Sequence, residues 1–421
     1  MSTNVQSHGG GLPHAVFLQR VADEPATSPE VRLGQGAFLS LRFVDLLTPD
    51  REPPTPEVFR YQWAATERYC AELAGEGTEA AHLSCIVRAT GEAHRTGDVQ
   101  ALAPALFAYA MYLEEESHFE EAEDTLETMI NVGAGRLQPS DAISAWMRLG
   151  RVRRKQSDFD RADAAYVEAG RIATSRNDGR AILLSRIGRC NVVYFRGNLA
   201  EAERGWLSIL ADAEATPFRR ITAEAEHGLG NLLNLRSRTH ESAPHLWRAY
   251  EFYDEDESAQ RRVLTDLGIV LLRLGHVESA ERALNEVVRR EQVGENLTNA
   301  LIELMNCASY RRDRVGFERW RERCNEHIAN APPNIRSDFS MKAGIGFVRF
   351  GNVRKGEIEL RRALEIASAH DLNELVFRIE PILTGIKECG APEYVESAAP
   401  ELAHPSESLN ELSASLATLG V

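Results

Sequence analysis

The sequence predicts an all-α fold, an α-solenoid built from tandem helix-turn-helix repeats. Three observations lead to this prediction. The composition is typical of helices, because Ala, Leu, Glu and Arg recur throughout and aromatic residues are only 7% of the 421 residues. A short motif returns at a steady interval along the middle of the chain. A Gly or Ser precedes most copies of that motif at a fixed place, where a tight turn needs one.

The motif is an apolar residue, two further residues and a small residue. Seven copies begin at Phe119 (FEEA), Phe159 (FDRA), Leu199 (LAEA), Thr239 (THES), Val277 (VESA), Phe317 (FERW) and Val353 (VRKG). The copies THES and FERW are degenerate. From these residue numbers, successive copies lie 36 to 40 residues apart. Such a period predicts a stack of supersecondary units, none of which buries its apolar face alone.

Each copy predicts one helical hairpin. Intervals of 3, 4 and 7 residues place the large and small side chains of a copy on one helical face. In the copy of Phe159, the large Leu149 and Tyr166 accompany the small Gly150 and Ala162. We therefore predict a helix A, a turn residue and a helix B that begins at the motif. The turn residues are Ser117, Ser157, Gly197, Ser237, Gly275 and Gly351.

The hairpin of Trp146–Gly150 (WMRLG), Phe159–Ala162 (FDRA) and Tyr166 resembles the tetratricopeptide repeat. That family has a pattern of Trp, Leu-Gly, Tyr, Ala, Phe and Ala, and the resemblance extends over residues 102–370. The period near 40, longer than the common 34, is similar to that of kinesin light chain and of peptide-sensing bacterial regulators. The resemblance implies a right-handed superhelix in which helix A lines the concave surface. It implies binding of a partner without naming one.

The chain divides into five predicted regions. They are a flexible leader (1–13), a helical N-terminal region with an irregular cap (14–100), about seven repeats (101–370), a capping helix (371–389) and a tail rich in Ala, Pro, Ser and Glu (390–421). A Pro-rich break at 47–57 interrupts the N-terminal region. Within the tail, we predict a short helix near residues 406–418.

Charge and cysteine usage narrow the classes of function. The formal net charge of −15 disfavours binding to nucleic acid and to anionic membranes. There is no signal-peptide pattern and no apolar run of about 18–20 residues, so we predict a cytoplasmic protein without a membrane span. The six cysteines are scattered without a CxxC pair, and we predict that they are core thiols in a reducing compartment.

No catalytic, metal-binding or cofactor-binding motif is found, and we predict a protein that is not an enzyme. His240 and His245 are five residues apart and do not share a helical face. The glycine cluster GQG at 34–36 lacks the Lys-Ser/Thr of a phosphate loop. The acidic run at 114–124 is interpreted as a solvated turn and helix face, because a calcium loop needs alternating ligands and a central Gly.

By the resemblance, the candidate binding residues are those of helix A that face the concave groove. They are Arg151, Arg154, Lys155, Asn191, Tyr194, His227, Asn231, Asn234, Arg273, Arg312 and Arg349. Asn191 and Asn231 occupy the same repeat position, where peptide-binding members of the family hold a ligand's backbone. An Asn side chain both donates and accepts, which suits the edge of an extended peptide. The excess of cations predicts an acidic peptide or a terminal carboxylate as ligand.

Three functions are compatible with these features. The first is a non-catalytic adaptor that binds a protein or peptide segment in the groove. The second is a peptide-sensing or signalling regulator whose N-terminal helices act on a target. The third is a structural subunit of a larger assembly, and a homo-oligomer is also left open. The partner itself is not encoded in any motif.

Overall fold

The computed structural model describes residues 12–19, 28–49, 52–214, 216–291, 294–329, 331–370, 372–389 and 407–418. These residues form α-helices, two 3-10 helices and the turns between them, without a strand. The chain is all-α, as the sequence predicts. It divides into two compact units, residues 1–198 (unit 1) and 199–421 (unit 2). No helix of the described residues combines the length and apolar character needed to cross a bilayer.

Unit 1 contains nine α-helices within the described residues. They are α1 (Val16–Gln19), α2 (Pro29–Val44), α3 (Pro56–Glu72), α4 (Thr78–Thr96), α5 (Ala103–Glu115), α6 (Phe119–Val132), α7 (Pro139–Lys155), α8 (Phe159–Ser175) and α9 (Gly179–Phe195). The 3-10 helices are Asp45–Leu47 and Val99–Leu102. Its largest core joins α1 to α8 and includes the fully buried Phe17, Phe43, Phe59 and Tyr109.

Unit 2 contains eleven α-helices within the described residues. They are α10 (Leu199–Glu214), α11 (Arg219–Leu235), α12 (Thr239–Tyr253), α13 (Glu257–Arg273), α14 (Val277–Arg290), α15 (Glu295–Tyr310), α16 (Arg314–Ile328), α17 (Pro333–Arg349), α18 (Val353–Ala369), α19 (Asn373–Cys389) and α20 (Glu407–Thr418). Its cores run from one hairpin to the next, with Leu267, Leu284 and Leu301 among the side chains removed from solvent.

The repeat prediction is confirmed at six of the seven motifs. Helix B begins at the first motif residue in α6, α8, α10, α12, α14 and α18. Every predicted turn residue has a positive φ, between 60° and 82°. The turn at Ser117 shows why: the Ser117 N–H donates to the Glu114 carbonyl, and the His118 N–H donates to the Leu113 carbonyl. This pair of bonds closes the end of helix A and requires a left-handed residue.

The sixth repeat corrects the predicted register. Helix α16 begins at Arg314, three residues before the predicted start at Phe317. The left-handed turn residue there is Arg312, with φ 58°. Phe317 therefore occupies the fourth position of helix B, where other repeats have a small residue. Its ring is accommodated by Gly346 of α17, where an added Cβ would lie 2.3 Å from the ring.

Close approach of the helices depends on glycine at the predicted Gly150 and also at Gly188. In unit 1, the Tyr166 ring of α8 lies between Gly150 of α7 and Gly188 of α9, and a Cβ at Gly188 would lie 2.2 Å from it. Of the predicted core thiols, Cys70, Cys307 and Cys324 are buried, whereas Cys85 and Cys190 are only half-buried. Burial raises the pKa of the Cys324 thiol to about 12, which makes it unreactive at neutral pH.

Candidate binding faces of the A helices

A basic cluster on α7 surrounds one carboxylate in unit 1. Arg148, Arg151 and Lys155 are spaced by three and four residues, so they share a face of α7. Glu114, in the last turn of α5, lies 3.2 Å from Arg148, 2.6 Å from Arg151 and 2.8 Å from Lys155. Burial alone would raise the pKa of Glu114, but Lys155, Arg151 and Arg148 lower it, so the carboxylate is charged at neutral pH. Three cations thus share one anion, and positive charge is left in excess.

The remaining predicted residues of unit 1 lie at the C-terminal ends of α7 and α9. The Arg154 guanidinium lies over the Phe195 ring, 4.6 Å from its centroid. Its Nε–H is buried without a hydrogen-bond acceptor in the described part of the chain. Asn191 is half-buried one turn before Tyr194. Both Asn191 and Tyr194 belong to the same helix, and Tyr194 packs edge-on against Phe195.

In unit 2, α11 and α13 bring two predicted residues onto one carboxylate. Asp266 of α13 lies 2.7 Å from Nε2 of His227 and accepts a hydrogen bond of 3.0 Å from Nδ2 of Asn231. His227 also packs edge-on against Tyr253. Asn231 uses one of its two amide hydrogens in this way, which holds the side chain in one orientation. Asp266 was missed because a lone Asp in mid-helix gives no signal of its partners.

Two more predicted residues pair across the same helices. Arg273, near the end of α13, donates a hydrogen bond of 2.9 Å to the side-chain oxygen of Asn234 on α11. Arg273 is exposed and Asn234 is half-buried. The partner of Arg273 is a neutral amide and not a carboxylate. This hydrogen bond therefore does not neutralise the charge of Arg273.

The last two predicted residues connect the repeat of α15 with the repeat of α17. Arg349 of α17 is buried, donates a hydrogen bond of 2.7 Å to Ser309 and lies over the Tyr310 ring at 3.7 Å from its centroid. Arg312 lies in the turn between α15 and α16 and donates to the Arg349 carbonyl. The wrong register in this repeat placed Arg312 on helix A.

The corrected register reveals Asn306 as a further candidate. Asn306 precedes the start of α16 by eight residues, as Asn191 and Asn231 precede the starts of α10 and α12. It donates to Glu303 at 3.3 Å and accepts from Arg349 at 3.3 Å. The buried Glu303 pairs in turn with Lys342 of α17. The same repeat position therefore holds Asn in α9, α11 and α15.

The A-helix face of unit 1 and the A-helix face of unit 2 differ in charge. Within unit 1, the cations of α7 outnumber the one carboxylate that they surround. Within unit 2, anions and cations alternate along the sequence of the A helices, with Asp266 and Arg273 on α13, Glu303 on α15 and Lys342 on α17. Among the described residues, no group of His, Cys, Asp and Glu is arranged to hold a metal ion. Each face presents hydrogen-bonding side chains and charged groups to a ligand.

Comparisons with known proteins were made at the levels of sequence and structure. No protein-family model and no curated protein matches the chain. Several solved structures, in contrast, match the chain. The apo quorum sensor NprR from B. thuringiensis is 12% identical with a TM-score of 0.52, over 83% of this chain and 91% of that one. Apo RapI is 11% identical with a TM-score of 0.50, over 81% and 97% of the two chains.

A third similar structure is aspartyl phosphate phosphatase F from Bacillus subtilis. It is 9% identical with a TM-score of 0.51, over 81% of this chain and 94% of that one. At such low identity, the similarity of all three concerns the fold. The structure of the chain itself indicates the same fold. Its hairpins recur, their turns contain left-handed residues, and glycines lie where the helices approach closely. The chain shares with these solved structures an all-α fold of tandem helical hairpins.

Proposed function

We propose that the chain binds a peptide or an extended protein segment through the A-helix faces of its repeats. The observation that carries this proposal is the Asn at one repeat position, in α11 and α15 of unit 2 and, by itself, in α9 of unit 1. An amide side chain matches a ligand backbone, which offers a donor and an acceptor at every residue. The fold shared with a quorum sensor is compatible with such a role.

The hydrogen-bonding state of these residues supports ligand binding. The Asn191 side chain makes no hydrogen bond with the described residues, and Asn231 leaves its side-chain oxygen without a donor among them. The buried Nε–H of Arg154 also lacks an acceptor there. A buried polar atom without a partner costs free energy, and a ligand acceptor would remove that cost.

We further propose that the ligand is acidic where it meets unit 1. Arg148, Arg151 and Lys155 hold more positive charge than Glu114 neutralises. A carboxylate of the ligand would complete the charge balance of this cluster and accept charge-assisted hydrogen bonds from Arg151, whose side chain is 54% exposed. The alternating charges of unit 2 favour no sign of ligand charge.

The peptide-binding proposal is tested by selection from a display library of short random peptides on the full chain. We expect Asn231→Ala to weaken binding of the selected peptides about tenfold, because two hydrogen bonds contribute about 1.4 kcal/mol or more. Asn191→Ala is expected to weaken in the same way those selected peptides that bind unit 1. The matched control is Asn285→Ala, an exposed Asn on helix B of α14. Equal affinity for all three variants, or no enrichment of peptides, would refute the proposal.

The proposal of an acidic ligand predicts opposite effects on binding for Arg151→Glu and Glu114→Gln, two residues that contact each other. Arg151→Glu is expected to weaken binding of the selected peptides by tenfold or more, and added NaCl to reduce the difference. Glu114→Gln is expected to strengthen binding, because the cations lose their internal partner while the side chain keeps its shape. Both affinities are measured by fluorescence anisotropy. If Glu114→Gln weakened binding as much as Arg151→Glu, an acidic ligand would be excluded at this cluster.

A regulator is the second candidate function. Its specific support is on α3, where Val58 and Tyr61 are exposed one turn apart, Tyr61 to 77%. Large apolar side chains in solvent often mark a contact surface. In this alternative, the repeats bind the peptide and the N-terminal helices contact a second protein.

A further inference from the structure

Three equivalent positions in unit 1 carry chemically different side chains. Met111 of α5, Arg151 of α7 and Asn191 of α9 each precede the start of the following B helix by eight residues. Helix α7 contacts both α5 and α9, so the three positions form a row across neighbouring A helices. Along this row, the side chain changes from apolar to cationic to amide.

Large apolar side chains are exposed at both ends of this row. Met111 is 42% exposed, although it lies only one turn before the buried Glu114. Phe195, one turn after Asn191 on α9, is 53% exposed, and the Arg154 guanidinium lies over its ring. An apolar side chain in solvent gains free energy when a ligand covers it. Each end of the row is therefore suited to an apolar residue of a ligand.

The middle of the row is suited to an acidic residue. Arg148 and Arg151 reach from α7 to Glu114 on α5, at 3.2 Å and 2.6 Å. The exposed Glu115 occupies on α5 the repeat position that Phe195 has on α9. Its carboxylate would repel a ligand carboxylate on that side of the cations. A ligand carboxylate is therefore favoured at α7 and disfavoured at α5.

The spacing of the A helices matches one extended ligand conformation. Packed helices lie about 8–10 Å apart. In a polyproline II helix, which has three residues per turn, every third side chain points the same way and is displaced by about 9 Å. A ligand in this conformation presents every third residue to α5, α7 and α9 in turn. Its backbone makes no internal hydrogen bonds, so its donors and acceptors are open to the Asn191 amide.

We propose that unit 1 recognises a polyproline II segment in which large apolar residues lie three positions before and three positions after an acidic residue. The apolar residues contact Met111 and Phe195, and the acidic residue pairs with Arg151. This inference rests on the proposed function, because it specifies the ligand of the same A-helix face. It adds an order and a spacing of side chains, which the excess of positive charge alone does not imply.

The spacing is tested with three fluorescein-labelled peptides of identical composition and the full chain. The peptide LPSEPSL has the proposed spacing, LEPSPSL moves the acidic residue next to one leucine, and LPSEPLS moves the other leucine. Fluorescence anisotropy is expected to show about tenfold tighter binding of LPSEPSL than of the other two, because each of these misplaces one contact.

The outcomes separate this inference from the proposed function. Equal affinities for the three peptides would overturn the spacing and leave peptide binding intact. The same holds if LPSEPSL failed to bind a chain that binds the peptides selected from the display library. A chain that bound neither LPSEPSL nor any library peptide would refute both proposals.

Truncation of the two apolar side chains tests the positions of the contacts. Met111→Ser is expected to weaken binding of LPSEPSL about tenfold and to have little effect on one of the peptides SPSEPSL and LPSEPSS, which lacks the leucine that Met111 contacts. Phe195→Ser is expected to depend in this way on the other leucine. The matched control is Val167→Ser on the B helix α8, where Val167 is 46% exposed. Circular dichroism verifies that each variant is folded. If either variant weakened all three peptides equally, or no more than Val167→Ser does, the assignment of the contacts would be wrong.

Discussion

Replacing Lys342 with Met is expected to lower the free energy of unfolding of unit 2 by about 3–5 kcal/mol. The Lys342 ammonium lies between Glu303 of α15 and Asp338 of its own helix, at 2.5 Å from the latter. Its side chain is 12% exposed and that of Glu303 is 5% exposed. Without the ammonium, two carboxylates would share a nearly dry site and repel each other. The loss is measured by urea denaturation followed by circular dichroism.

The reason for the expected loss is the uncompensated charge and not the missing bond. Burial alone would lower the pKa of Lys342, but Asp338 and Glu303 outweigh it and the pKa is raised, so the lysine is charged in the folded chain. The triple variant Lys342→Met/Glu303→Gln/Asp338→Asn removes every charge of the site. We expect it to regain most of the stability, since neutral groups of similar shape replace the ions well. A triple variant as unstable as Lys342→Met would contradict this account.

The repeats could be predicted because their signals are local. A positive φ two residues before helix B favours Gly and tolerates Ser, so the turn is visible as Ser117 or Gly197. Small residues such as Gly150 and Ala162 mark where helices approach. Each signal lies within a few residues of the feature that it predicts. The first residue of helix B is therefore predicted correctly in six repeats from the sequence alone, because no long-range contact is needed to recognise it.

The sixth repeat shows where local signals fail. Its left-handed position is taken by Arg312, and its apolar motif residue Phe317 lies one turn inside the helix. The compensating feature, Gly346, lies on the next hairpin and cannot be recognised from the repeat itself. A register error of three residues placed Arg312 on helix A and left Asn306 out of the predicted groove. The error is thus explained by a contact between repeats.

The candidate binding residues are predictions from repeat position, and the sequence does not reveal which side chains they pair with in the structure. Glu114 belongs to the acidic run at 114–124 that was interpreted as a solvated face, yet its side chain is 4% exposed beneath the cations of α7. Asp266 likewise holds His227 and Asn231. Which charges remain for a ligand depends on these pairings between consecutive A helices. That information comes only from the packed structure.

The contact between His14 and two aspartates gives a pH-dependent prediction for unit 1. His14 lies 2.6 Å from Asp124 of α6 and 3.3 Å from Asp45 at the end of α2, and its side chain is 5% exposed. Burial would lower the pKa of His14, but the two carboxylates outweigh it and raise the pKa to about 9. The histidine is therefore charged at neutral pH and joins the segment around α1 to two other helices.

The sign of the effect follows from the direction of this shift. Because the folded pKa of about 9 lies above the unfolded value of 6.5, the contribution is complete below pH 6.5 and is lost as the pH rises through 9. Its size is about 3 kcal/mol, at about 1.4 kcal/mol per pKa unit. We expect His14→Gln to be less stable than the unaltered chain by about this amount near pH 6, and nearly equal to it near pH 9.5. Urea denaturation at the two pH values measures the difference. A gap between the two chains that stayed constant with pH would mean that His14 is held by shape, with its charge making no contribution.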